Sequence, residues 1–251
     1  MMSIKVPFLS AAAIEGAAEC LLRMFARQQR PIVGPPVPVA ELLVFLGLSC
    51  DFDNLRKLFN LPDVLGALWV SSKEVFIDES LDPVQNPGME GRYRFTLSHE
   101  IGHWQLHRTY LLSSDPTSGL TRRQRPASVI CRTRASSPIE VQANAYASYV
   151  LMPRGLICDQ WKIGAPGREF MSLDDFRKDE HYILRHDRRT ISNDEQRVDA
   201  ILDWAGAPLA DRFQVSRTAM RLRLEELGLL RRPVAETRAH LTRLVNAEVF
   251  R

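Results

Sequence analysis

His99, Glu100 and His103, in the order H-E-x-x-H, are the residues whose types and spacing fit one definite chemistry. On a helix the two histidines fall about one turn, or roughly 6 Å, apart on one face, so both imidazoles reach a single ion. Neutral imidazole nitrogens bind zinc, and a carboxylate beside them can take a proton from attacking water. Glu100 projects about 100° round the helix from His99, which suits a general base that flanks the ion and does not ligate it. Manganese and iron accept the same ligand types.

The helix that must carry this triad is read in RFTLSHEIGHWQLH, Arg94 to His107. Thr96 or Ser98 can cap its start, and Phe95, Leu97, Ile101, Trp104 and Leu106 supply apolar anchors. Gly102 is a weak helix former, but without a side chain it lets another segment pass close to the metal face. His107 lies four residues beyond His103 on that face, where it can replace a ligand, bind substrate or support its neighbours.

Before this helix, GALWV and EVFID flank Ser71-Ser72-Lys73 and read as two strands round a tight turn. Such a hairpin is expected either as the edge of a cleft that a peptide extends or as core sheet. Ile14 to Arg30 carries a helical stripe of Ile14, Ala18, Leu21, Leu22 and Phe25, and the prolines from Pro31 to Pro38 break the chain after it. Val39 to Gly47 is a short helix ended by glycine, and Cys50 to Phe52 begins a strand. Pro116 to Ile139 holds Arg122, Arg123, Arg125, Arg132 and Arg134 without an acidic residue, which reads as a long basic loop, solvated or steering a partner.

Glu140 to Pro153, EVQANAYASYVLMP, is a second helix with Ala143, Tyr146, Ala147, Val150 and Leu151 inward. Glu140 and Asn144 lie one turn apart, so a ligand and its hydrogen-bonding partner can both face the metal helix. An acid in a first helical turn is also favoured by the helix dipole alone.

The length of 251 residues allows one large domain with an appendage. Apolar residues make up 45% of the sequence and charged ones 25%, as in ordinary globular proteins, and the net charge of +3 is too small to mark a nucleic-acid binder. Cys20, Cys50, Cys131 and Cys158 form no C-x-x-C pair and are expected as reduced thiols. The apolar N-terminal stretch carries Glu15 and Glu19, and no apolar run reaches the length of a membrane span, so a cytoplasmic location and no membrane partner are expected.

The pair RFTLSHEIGHWQLH and E-x-x-A-N-x-[FY]-A-x-x-x-L-M-P resembles the ImmA/IrrE family of zinc-dependent peptidases, as does GALWVSSKEVFIDES upstream. That resemblance implies Zn2+ held by His99, His103 and Glu140, with Glu100 as catalytic base. It also implies a protein substrate, a helix-turn-helix transcriptional repressor whose cleavage derepresses mobile-element or stress-response genes. Family members often carry an acid where this chain has Gln142, which leaves Glu140 as the carboxylate of that turn.

In the C-terminal third, His181 and His186 are five apart on different helix faces and read as surface residues. In PLADRFQVSRTAMRLRLEELGLL, Leu209 and Phe213 anchor a short helix, Gln214-Val215 turns, and Ser216 caps a second helix with Met220, Leu224 and Leu227 inward. This layout resembles a helix-turn-helix, with Arg217, Thr218 and Arg221 outward to meet DNA or a protein partner. Val234 to Phe250 is expected as a last helix that covers this unit or mediates a homodimer.

The expected fold is α+β: a zincin-like metallopeptidase domain at 1–160, with a small sheet and the H-E-x-x-H helix, then an all-helical unit at 161–251 with its helix-turn-helix-like segment at 207–230. Two other readings are a sequestering module and a DNA-binding regulator, each with a structural metal.

Overall fold

A computed structural model describes residues 6–113, 127–132, 137–187 and 189–232. The chain divides into two units, Met1–Leu151 and Met152–Arg251.

In the first unit, β2 (Val64–Trp69) and β3 (Glu74–Asp78) form the expected hairpin, turning at Lys73 with φ 60°. β1 (Ser49–Asp53) pairs in parallel with β3, and β4 (Val129–Arg132) antiparallel with β2, so the order is β1-β3-β2-β4. The hairpin therefore occupies the middle of the sheet, and its reading as a cleft edge is corrected: the edges are β1 and β4. β4 also corrects the reading of Pro116 to Ile139 as one loop. Val129 and Cys131 are buried in it, and Arg132 pairs with Asp63 at 2.8 Å. Arg122, Arg123, Arg125 and Arg134 lie outside the described residues.

Alternation along β2 divides its work between two faces. Ala67 and Trp69 pack with Phe76 and with Leu55 of α3 (Leu55–Phe59), whereas Gly66 lies beneath the metal helix. That helix, α4 (Glu90–Gly102), continues through a wide π turn (His103–His107) into α5 (Arg108–Ser113). α4 starts earlier than expected, so Thr96 and Ser98 are corrected from caps to buried mid-helix residues. Its early turns are tied down instead by Arg94, which donates to the Val37 carbonyl at 2.7 Å.

α1 (Ala11–Gln28) buries the expected stripe, and α2 (Val39–Phe45) ends before Gly47 at φ 72°. α6 (Pro138–Leu151) packs along α4 and α1. The approach of α6 requires Gly102, because a Cβ there would meet the Ala143 carbonyl oxygen and Tyr146 Cβ at 3.2 Å.

Among its described residues the second unit is helical apart from turns and a parallel pair of two-residue strands, β5 (Met171–Ser172) and β6 (Leu230–Arg231). Its helices are α7 (Arg154–Gly164), α8 (Glu180–His186), α9 (Asp194–Phe213) and α10 (Arg217–Glu226). The short helix expected at Leu209 and Phe213 is corrected to the end of α9, 20 residues long and capped at Asn193. Pro208 removes one backbone hydrogen bond without ending it, since packing on both sides outweighs the local loss. Gln214 turns the chain with φ 55°, and Ser216 caps α10 by accepting from the Ala219 amide at 3.1 Å. Met220 and Leu224 are buried as expected and Leu227 is half-buried.

Arg221 was expected outward and is corrected: it is 3% exposed and its Nε donates to Asp203 Oδ1 at 2.7 Å. Thr218 is half-buried and donates to Asp203 Oδ2 at 3.2 Å, while Arg217 is exposed. The inward turn follows from the packing of α10 on α9, which puts Arg221 over the carboxylates of that helix. His181 and His186 are exposed, as expected. Val234 to Phe250 lies outside the described residues.

Candidate metal centre

Two packed helices bring three donor atoms together. α4 and its π turn present His99 and His103, whose Nε2 atoms are 2.9 Å apart. α6 presents Glu140 from its first turn, with Oε2 at 3.2 Å from His99 Nε2 and Oε1 at 3.3 Å from His103 Nε2. All three side chains are buried. Ligands placed about 2.0 Å from a tetrahedral zinc are about 3.3 Å from one another, so this triangle has the size of one face of such a site.

The outer nitrogens are held as well. His99 Nδ1 lies 2.8 Å from Asn144 Oδ1, an acceptor, so Nδ1 carries the ring proton and Nε2 keeps its lone pair. His103 Nδ1 meets His107 Nδ1 at 3.2 Å, and His107 Nε2 meets Gln142 Oε1 at 3.0 Å. His107 is therefore on the far side of His103 from Glu140 and touches His103 without joining the triangle.

Burial, aided by His99, pushes the His103 imidazole down to about 4, so the ring is neutral near pH 7. Burial alone would raise Glu140, but its contacts with His103 and His99 outweigh it and hold the carboxyl well below the usual range. Two imidazole nitrogens and a carboxylate facing one point form a donor set for a divalent cation. The arrangement fits a metal ion.

Glu100 stands beside this triangle on the sheet side, fully buried, and among the described residues neither carboxylate oxygen has a hydrogen-bond partner. Burial, and then the charge of Glu140, raise its carboxyl well above the ordinary value. Gly66 of β2 makes room for it, since a Cβ there would lie 2.6 Å from Glu100 Oε1. Cys131, opposite Gly66 in the β2–β4 register, forms a second potential ligand group with His99 and Glu100, with donor atoms all within 4.8 Å of one another. Its thiol is pushed well up by burial and by the charges of Glu100 and Glu140, which keeps it protonated.

The structure thus places His99, Glu100, His103, Glu140, Asn144 and His107 in one cluster. Arg217, Thr218 and Arg221 belong to the second unit, where Arg221 and Thr218 face Asp203. Gly66, Cys131 and the partner role of Gln142 were not foreseen. No local signal marks Gly66 or Cys131, because strand pairing and helix packing create their roles.

Residues 67–165 match the Peptidase M78 family, described as the IrrE N-terminal-like domain. These residues are similar to an IrrE N-terminal-like domain. The family matched is a peptidase family, and the matched residues contain both helices of the cluster. A Mycobacterium tuberculosis transcriptional regulator is similar in structure, with a TM-score of 0.41 and 18% sequence identity. The match covers 85% of this chain and 47% of the regulator, so the chain spans about half of that relative's length. No curated protein sequence matches the chain. Among the described residues no helix is long and apolar enough to cross a membrane.

Proposed function

We propose that the protein is a zinc-dependent endopeptidase that cleaves a specific regulatory protein. The observation that supports this most directly is the buried triangle of His99 Nε2, His103 Nε2 and Glu140 beside a carboxylate with no hydrogen-bond partner among the described residues. When bound, a divalent ion supplies Lewis acidity, polarising a carbonyl and easing the ionisation of water. Both Glu100 oxygens are without a hydrogen-bond partner among the described residues, so it accepts the proton from attacking water and returns it to the departing amine. Its raised carboxyl suits that exchange, because a base whose affinity for protons lies closer to neutrality also releases them as an acid. Asn144 holds His99 in the tautomer that keeps Nε2 bare.

Zinc is the ion we favour, over manganese or iron, for two imidazoles and one carboxylate in a small triangle. The peptidase domain is taken as residues 1–160 and the helical unit as 161–251. The substrate class follows the family resemblance: a helix-turn-helix transcriptional repressor, met in the cytoplasm, whose loss relieves repression of mobile-element or stress-response genes. Any contact of the second unit with DNA, with a partner or with a second copy of the chain would use Arg217, the exposed residue of the three at the start of α10.

The test is metal content by elemental analysis of protein purified without chelators, with His103→Ala and Glu140→Ala beside wild type. The metal-loaded protein is then incubated with a helix-turn-helix repressor encoded beside it, and the products are read by mass spectrometry. One zinc per chain, lost in both variants, with a discrete cut in the repressor, is the expected result. A wild type that takes up no metal in zinc-replete buffer would sink the enzyme reading.

A further inference from the structure

We infer that Gln142 and His107 form a positioning relay, anchored on the backbone carbonyl of Pro7, that fixes which nitrogen of His103 is left bare for the metal. The inference rests on the reading of His103 as a ligand. It starts from an atom with no ambiguity: the Pro7 carbonyl oxygen can only accept, and the Gln142 amide nitrogen lies 2.8 Å from it. That contact orients the amide, so Oε1 faces His107 Nε2 at 3.0 Å. An amide oxygen only accepts, and His107 Nε2 therefore carries the proton.

His107 is 1% exposed, and among the described residues no carboxylate is hydrogen-bonded to it. In the tautomer that donates through Nε2 to Gln142, Nδ1 is the accepting nitrogen. Its lone pair points at His103 Nδ1, 3.2 Å away, and the contact is a hydrogen bond only when His103 Nδ1 carries the proton. His103 Nε2 is then bare, directed at His99 Nε2 and Glu140. Each step follows from the one before it, and the direction of the whole chain is set at Pro7.

The two histidine ligands are thus oriented by different devices. His99 uses one amide on the neighbouring helix, Asn144. His103 uses two side chains and a carbonyl in the segment that precedes α1, which ties the metal centre to Pro7, 135 positions before Gln142 in the sequence. A segment before α1 that moves away from Gln142 frees the amide to rotate and removes the bias on both rings.

The experiment joins a spectroscopic readout to an affinity readout. In the metal-free full chain, imidazole 15N correlation spectra should show His103 protonated on Nδ1 and His107 on Nε2. Zinc affinity, by competition with a chromogenic chelator, should fall about 10–100-fold in Gln142→Met and in His107→Phe, as for other partners that orient metal ligands. The double variant should lose no more than the worse single one, because both substitutions break the same relay. In Gln142→Met the His103 signal should shift toward a mixture of the two tautomers, which a loss of packing alone would not produce. His103 protonated on Nε2 in wild type, or Gln142→Met with unchanged tautomer and unchanged zinc affinity, would overturn the relay. A wild type that binds no zinc would overturn the metal reading instead, and the tautomers of the metal-free chain would still decide the relay.

Discussion

Glu100 in the first unit and Asp203 in the second are both buried carboxylates, 0% and 3% exposed, and their surroundings differ in kind. Asp203 is met on every side: by Arg221 at 2.7 Å, Arg189 at 2.6 Å and Thr218 at 3.2 Å. Arg221 is shared in turn with Asp199 and Glu225, and Arg232 joins both of these. Among the described residues Glu100 meets no hydrogen-bond donor, and burial and then a like charge, Glu140, raise its carboxyl. A buried charge matched all round belongs to the architecture of α9 and α10, because losing one partner leaves the others exposed to the cost of burial. A buried carboxyl left unmatched is held in place by its surroundings at a net cost, and such groups gather where chemistry is done.

The largest effect that would break this contrast is on turnover. Glu100→Gln keeps the shape of the side chain and removes its basicity, so peptide hydrolysis should fall by about 10²–10⁴-fold, the usual contribution of a general base. Metal content should be unchanged, since Glu100 is outside the triangle. Single-turnover cleavage with parallel elemental analysis measures both, and a glutamine variant that still cleaves at the wild-type rate would remove Glu100 from the reaction.

The opposite substitution should be silent for metal and costly for stability. Asp203→Ala leaves Arg221 buried with its main partner gone, which should destabilise the second unit by about 3–5 kcal/mol. Urea unfolding followed by Trp204 fluorescence reports this, since Trp204 adjoins Asp203 on α9. A loss below about 1 kcal/mol would mean that the charge cluster is closer to a solvated surface network than to a buried one.

These two clusters were not equally legible in the sequence. The H-E-x-x-H pattern declares itself because its spacing is set by one helix, and the hairpin by period-two apolar runs either side of a turn. Glu140 was visible as an acid in a first turn, but its place opposite His99 comes from the crossing of α6 and α4, which the glycine at 102 permits. β4 was hidden in a run of arginines because only Val129 and Cys131 face inward there. Arg221 was read outward since arginine is usually exposed, and the carboxylates that turn it inward lie some 20 residues back on a helix whose full length was masked by Pro208. Local patterns reveal sites confined to one element, and packing decides the rest.

The pH dependence sharpens the same comparison. Burial and Glu140 raise the Glu100 carboxyl, so its folded value lies above its unfolded one. Stability from the neutral form is then complete below the unfolded carboxylate range and is lost as pH rises through the folded value. Glu140 runs the other way, with its stability lost only as pH falls below the usual carboxylate range. In metal-stripped protein the stability gained by Glu100→Gln over wild type should therefore grow from pH 5 to pH 8. Thermal unfolding at the two values measures it, and an advantage that stays constant or shrinks would show that Glu100 is ionised throughout.

The smallest effect concerns what holds α10 against α9. Ser216 caps α10 through the Ala219 amide, next to the left-handed turn at Gln214. Ser216→Ala removes that cap and should cost about 1 kcal/mol, the usual value for an N-cap hydroxyl. The Asp203 cluster is untouched by the change, because Ser216 makes none of its hydrogen bonds. If the cap variant loses as much stability as Asp203→Ala, the turn and not the charge cluster fixes the helix pair, and Asp203 would have to be regarded as following the packing of α9 and α10. A loss near 1 kcal/mol, with the greater loss kept for Asp203→Ala, assigns the pairing of these helices to the matched carboxylate.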